Sequence, residues 1–247
     1  MIRNITIQGY KSIQNLDLEL GQVNVLIGPN GSGKSSILEG IQPHLEIYRP
    51  EEAMIRDHLN KSFQKQIGLL GQGLSQALHD LEKKRFDHIH RLVTRIDQID
   101  DVSLVGRIIQ FEYLDYYPAA HTILDHSVNA GILFQLVYWT LLISPRTPSF
   151  FAIEHVDKNL APSSCTQLMQ DIVTLAKEYE KQVILTAYNP AILDGLNLHD
   201  DEQRLFVVFR NIDGHTRIRR IVPRNVDSDL DPVRLSEACI RGYLGGM

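Results

Sequence analysis

The sequence is poor in the residues that define several kinds of protein. It has two cysteines, Cys165 and Cys239, far apart and without CxxC spacing, which argues against a disulfide framework and a cysteine-bound zinc. Its ten histidines include no HExxH or comparable ligand spacing, so a dedicated metal site is not expected. The start, MIRNITIQGYKSI, alternates instead of forming an apolar block, and a secretory signal is not expected. The longest apolar segment, ILFQLVYWTLLIS at 132–144, contains Gln135 and is too short to cross a bilayer. Basic charge is not in excess: the net charge is -5, so any binding to nucleic acid or anionic lipid needs a local patch. These absences imply a cytoplasmic protein with reduced thiols and no membrane partner. The 247 residues suffice for one substantial core, read as a single domain over 1–247 with a helical insertion at about 43–106.

What is present is an alternation of strands and helices. Ile5 and Ile7, then Leu16, Leu18 and Leu20, repeat at period two, which predicts a half-buried antiparallel pair. QVNVLIG at 22–28 is an unbroken apolar strand, and Ile37, Leu38 and Ile41 behind it predict a helix. From about 51 to 100 the pattern is helical and polar, clearest at 79–97. RIIQFEYL at 107–114 predicts a strand, and SVNAGILFQLVYWTLLIS at 127–144 a largely buried helix. Strand 149–153, helix 163–181, strand 182–187 and helix 191–196 follow. Such alternation predicts an α/β fold with a mainly parallel sheet covered on both faces. RLFVVFRN and HTRIRRIV at 204–222 form a hairpin around Gly214, and a short helix at 233–244 closes the chain.

The chemistry is concentrated at GPNGSGKSS, 28–36. Gly28, Gly33, Lys34 and Ser35 match GxxxxGK[ST] in full, between a strand and a helix as that motif requires. Glycines let the backbone wrap round a phosphate so that N–H groups and the helix N-terminus face its charge. The candidate contacts are Asn30, Gly31, Gly33, Lys34, Ser35 and Ser36, with Lys34 supplying a positive charge and Ser35 a hydroxyl to Mg²⁺. No guanine-reading Asn-Lys-x-Asp element occurs, which argues against a GTPase. No arginine-rich lid follows residue 107, which argues against a small-molecule kinase.

The opening IRNITIQGYKSIQNLDLELGQVNVLIGPNGSGKSSILEGI, with TAYNPAILDGL at 186–196 and LSEACIRGYLGGM at the end, resembles the ABC-type ATPases of the SMC, RecF and OLD group. The resemblance implies a P-loop NTPase of the ABC/SMC-head kind, with an N-terminal antiparallel layer and a small helical subdomain. It implies ATP and Mg²⁺ as cofactors, and Tyr10 and Lys11 match the family's aromatic-basic pair. Ser127 and Gly131 in HSVNAGILF fit the Ser-x-x-x-Gly signature that contacts the nucleotide of a partner subunit, which implies a homodimer or higher oligomer. Lys34 and Ser127 stand too close in sequence for the long coiled coil of an SMC protein. The last hairpin lies too near position 247 for the Toprim nuclease domain of OLD proteins, so an effector, nuclease or other, is expected on a separate chain. Many relatives of this group serve in phage defence.

Three positions depart from that pattern. The family's Walker B strand ends Asp-Glu, the first acid holding Mg²⁺ and the second orienting water. Aligned on Leu160 and Pro162, FAIEHVDKNLAP places Glu154 at the first acid and His155 at the second. Glu154 keeps a carboxylate, one methylene longer; a shift of about 1 Å in a reacting group can cost on the order of 100-fold in rate. Neutral imidazole accepts a proton but brings no negative charge beside Mg²⁺. Asp157 is the nearby candidate substitute. Tyr188 stands where relatives place a histidine that senses the γ-phosphate; a phenol donates one hydrogen bond and cannot become cationic. The expectation is therefore retained ATP binding and slow hydrolysis, with Glu154, His155, Asp157 and Tyr188 as candidate catalytic residues and Ser35 and Glu154 as candidate metal ligands. A scaffold subunit with structural nucleotide is the alternative. A DNA-binding regulator is another, resting on two basic clusters: Lys84, His88, Arg91 and Arg95 on one helical face, and Arg217, Arg219, Arg220 and Arg224. The first stripe reads more readily as a solvated face paired with Glu82, Asp87 and Asp97.

Overall fold

A strand with no polar face must lie inside a sheet covered on both sides, and β3 (Val23–Ile27), buried at every residue, does so. In the computed structural model, which describes residues 1–59, 66–96, 99–105, 108–113, 122–124, 128–223 and 233–245, β3 lies between β10 (Gln203–Arg210) and β9 (Gln182–Thr186), parallel to both. β8 (Phe150–Ile153) pairs parallel with β9. β11 (Thr216–Ile221) returns antiparallel along β10 at one edge, and β4 (Glu46–Tyr48) lies beside β8 at the other. The sheet order is β11-β10-β3-β9-β8-β4. Asn24, wholly buried in β3, is satisfied: its amide donates to Gly21 O and Val183 O and accepts from Gly21 N.

The chain divides into two compact units. The first is Met1–Ile47 with Pro148–Met247. In it β1 (Asn4–Tyr10) and β2 (Ile13–Glu19) pair antiparallel, with Ile7 opposite Leu16. Their apolar alternation fills a core with Ile37, Leu38 and Ile41 of α1 (Lys34–Ile41) and with Leu26 and Ala152 of the sheet. α6 (Pro162–Glu178) starts with proline at its first position, where the missing N–H costs nothing, and buries Cys165, Leu168, Met169 and Ile172. Residues 191–196, expected as a helix, fall largely in a 3-10 helix over Pro190–Gly195; six residues are too few for an α-helix of ordinary length.

The second unit is Tyr48–Thr147. It holds α2 (Glu52–Leu59), α3 (Leu74–His79), α4 (Lys83–Val93) and α5 (Ala130–Ile143). It also holds an antiparallel sheet of β5 (Ile99–Val105), β6 (Ile108–Tyr113) and β7 (Thr122–Leu124). The expected strand at 107–114 is thus present, within this sheet and outside the parallel one. β5 begins where the helical reading of 51–100 ended, because IDDVSLV carries β-branched and apolar residues that suit a strand. α5 is buried from Gly131 to Ile143, in keeping with a sequence that is apolar on every face apart from Gln135 and Thr140.

Candidate nucleotide site

The C-terminal ends of adjacent parallel strands are where open α/β sheets place their ligands, and three segments meet there in the first unit. After β3 the chain enters the glycine loop. Gly28 has φ 151 and a Cβ there would stand 2.1 Å from Val208 O; Gly33 has φ 110 and a Cβ there would stand 2.1 Å from Thr216 Oγ1. Both positions therefore require glycine. Asn30 and Gly31 are exposed at the loop tip, Ser35 is exposed and Ser36 half-buried. Lys34 opens α1 and is only 4% exposed. Its ammonium donates to Gly28 O at 2.7 Å and Pro29 O at 3.1 Å, and lies 4.4 Å from the centre of the Tyr188 ring. Burial lowers its pKa from the ordinary lysine value, opposed by the charges of Glu154 and Asp157.

After β8 the chain turns sharply. Glu154 is buried, and its carboxylate accepts a hydrogen bond from the Ser35 hydroxyl. His155 adopts φ 57, a left-handed conformation that histidine adopts more readily than most residues. Its N–H donates to Thr186 Oγ1 at 2.9 Å, and Val156 N–H to Thr186 O at 3.0 Å, which ties the turn to the end of β9. One oxygen of Asp157, Oδ2, accepts from Tyr188 N at 2.8 Å and from Asn189 N. Its other oxygen, Oδ1, is buried and has no hydrogen-bond partner among the described residues. The His155 and Tyr188 rings pack with centres 4.9 Å apart. Burial raises the Tyr188 hydroxyl pKa, and the charges of Glu154 and Asp157 raise it further.

The structure thus brings Lys34, Ser35, Glu154, His155, Asp157 and Tyr188 together. Ser127 lies outside the described residues, and Gly131 lies in the second unit. There α5 begins at Ala130, capped by Asn129, whose side chain accepts from Gly131 N at 2.7 Å. Several supporting residues were not foreseen. Thr216 Oγ1 donates to Ser32 O at 3.1 Å and lies 2.8 Å from Ser12 Oγ, and Arg210 Nε donates to Gly31 O at 2.8 Å. Thr216 and Arg210 reach the loop only because β10 lies beside β3 and β11 beside β10, and no local motif marks them. Tyr10 and Lys11 hold the β1–β2 turn: Lys11 pairs with Glu39 of α1 and lies 5.6 Å from the Tyr10 ring centre. The arginines of β11 are engaged too. Arg217 donates to Asn15 O, Arg219 to Leu244 O and Arg220 to Asp201.

The residues present fit a nucleotide with its metal. A positive charge, two glycines that admit no side chain, and a hydroxyl in contact with a carboxylate are the donor set for phosphate and Mg²⁺. Residues 1–100 match the family described as AAA ATPase domain. The SMC head domain from Thermotoga maritima has 13% sequence identity and a TM-score of 0.56, over 91% of this chain and 100% of that one. An SMC head bound to the C-winged helix domain of ScpA has 11% identity and a TM-score of 0.55, over 90% and 97%. CbiO1 from Clostridium perfringens, part of the ABC transporter complex cbiONQ, has 14% identity and a TM-score of 0.54, over 97% and 94%. No curated protein matches the sequence significantly. The fold is that of the SMC-head and ABC-type P-loop ATPases. The resemblance implied this fold, and residues 1–100 carry the match to an AAA ATPase domain.

Proposed function

We propose that the chain is an ATP-operated switch that binds MgATP, hydrolyses it slowly, pairs with a second copy in doing so and relays its state to a separate effector chain. The observation that carries this is the pairing of an intact phosphate loop with an altered turn after β8. Lys34 places a positive charge where the β- and γ-phosphates fall. Ser35 and Glu154, already in contact, would hold the metal, which would neutralise phosphate charge. His155, in place of the second acid, brings no negative charge to orient water, and its ring is packed on Tyr188. Binding is thereby retained while turnover is slowed.

Ser127 and Gly131 are the residues we assign to the nucleotide of the second copy. Bound ATP then favours the paired state by its differential affinity for it. The relatives support a role in a larger assembly, since one SMC head was solved with a domain of ScpA and CbiO1 is part of a transporter complex. We place the effector in a phage-defence or DNA-maintenance system, on the resemblance to the OLD group. In a test by isothermal titration and light scattering, Lys34→Ala abolishes MgATP binding and nucleotide-linked dimerisation; retention of both in that variant refutes the proposal.

A further inference from the structure

The Lys34 ammonium has three N–H donors, and two of them are taken by Gly28 O and Pro29 O. Its remaining side faces the Tyr188 ring at 4.4 Å. Tyr188 as a whole residue is 48% exposed, so burial alone gives its side chain little reason to stay. It is held instead by the cation on one side, by the His155 ring at 4.9 Å, and by Asp157, which fixes the Tyr188 and Asn189 backbone. The face of an aromatic ring is negative, and so is a phosphate oxygen. Both seek the same side of the ammonium and exclude one another.

We propose that Tyr188 is a positioning residue that caps Lys34, and that the ring leaves the ammonium when a phosphate enters. The inference rests on reading the glycine loop as a MgATP site. His155 acts in it as a brace behind the ring. Half-exposure gives the side chain solvent to swing into, while Asp157 keeps its backbone in place. The substitutions at 155 and 188 are then one device that sets nucleotide affinity through Lys34.

The test is isothermal titration of the full chain with MgATP, comparing Tyr188→Phe with Tyr188→Leu. Both lack the hydroxyl, so their difference isolates the ring face. A cation–π contact of ordinary strength corresponds to about a 2- to 30-fold change in affinity, and Tyr188→Leu binds tighter than Tyr188→Phe by that factor. Equal or weaker binding by Tyr188→Leu overturns the inference. Should Tyr188→Leu fail to fold, His155→Asn removes the brace with a residue that tolerates the left-handed turn. Tighter binding than wild type then upholds the inference, and unchanged or weaker binding overturns it. Absence of MgATP binding in the folded wild type and in both Tyr188 variants overturns the nucleotide reading itself and this inference with it.

Discussion

Replacing Asp157 by alanine cuts the link between the turn after β8 and the loop after β9. Two backbone donors, Tyr188 N and Asn189 N, lose their acceptor. A buried donor stripped of its partner costs about 1–3 kcal/mol, and Tyr188, half-exposed, allows water to meet part of that loss. The pair then costs about 2–4 kcal/mol, which lowers Tm by roughly 5–15 °C for a chain of this length. Asp157→Asn keeps an acceptor oxygen but not the charge. Charge-assisted hydrogen bonds are about twice as strong as neutral ones, so Asp157→Asn recovers roughly half of the loss. Differential scanning calorimetry of the three proteins reads this directly. A melt of Asp157→Ala within about 2 °C of wild type, or an Asp157→Asn as damaged as Asp157→Ala, refutes the reasoning.

Other outcomes follow from neighbouring residues. Gly33→Ala meets Thr216 at a φ of 110; left-handed strain of about 1–2 kcal/mol and overpacking of about 1–3 kcal/mol together lower stability in urea melts and remove MgATP binding. Cys165, fully buried, has its thiol pKa pushed up to about 11 by burial and by the charge of Asp157, so it reacts with a disulfide reagent at pH 8 only after denaturation. Because the folded state holds that proton more tightly than the unfolded chain, the stability it contributes is complete below the ordinary thiol pKa. It is lost as pH rises to about 11, seen as a falling urea midpoint over that interval.

Much of the site-bearing unit was legible because its signals are local. The apolar run 22–28, the glycine loop and the helix after it follow from residue order alone, and β3 and α1 stand where those residues put them. The 182–187 strand and the 204–222 hairpin carry the same kind of signal. What was missed depends on tertiary placement. Thr216 and Arg210 brace the loop through strand order, and Thr186 meets His155 N only because β8 and β9 are neighbours. The contact of Tyr188 with Lys34 joins residues far apart in sequence, and no periodicity encodes it. In the second unit, β5 follows polar helical sequence that masks its alternation, and the three residues of β7 are too few to show one.

Whether ATP is held and only slowly spent is read by single-turnover hydrolysis with protein in excess of radiolabelled MgATP. Typical enzymes turn over at about 10 s⁻¹. The expected result is ATP bound at stoichiometry and cleaved at least about 100-fold more slowly than that rate, with His155→Glu faster than wild type. Cleavage of bound ATP at about 10 s⁻¹ by the wild type would contradict it.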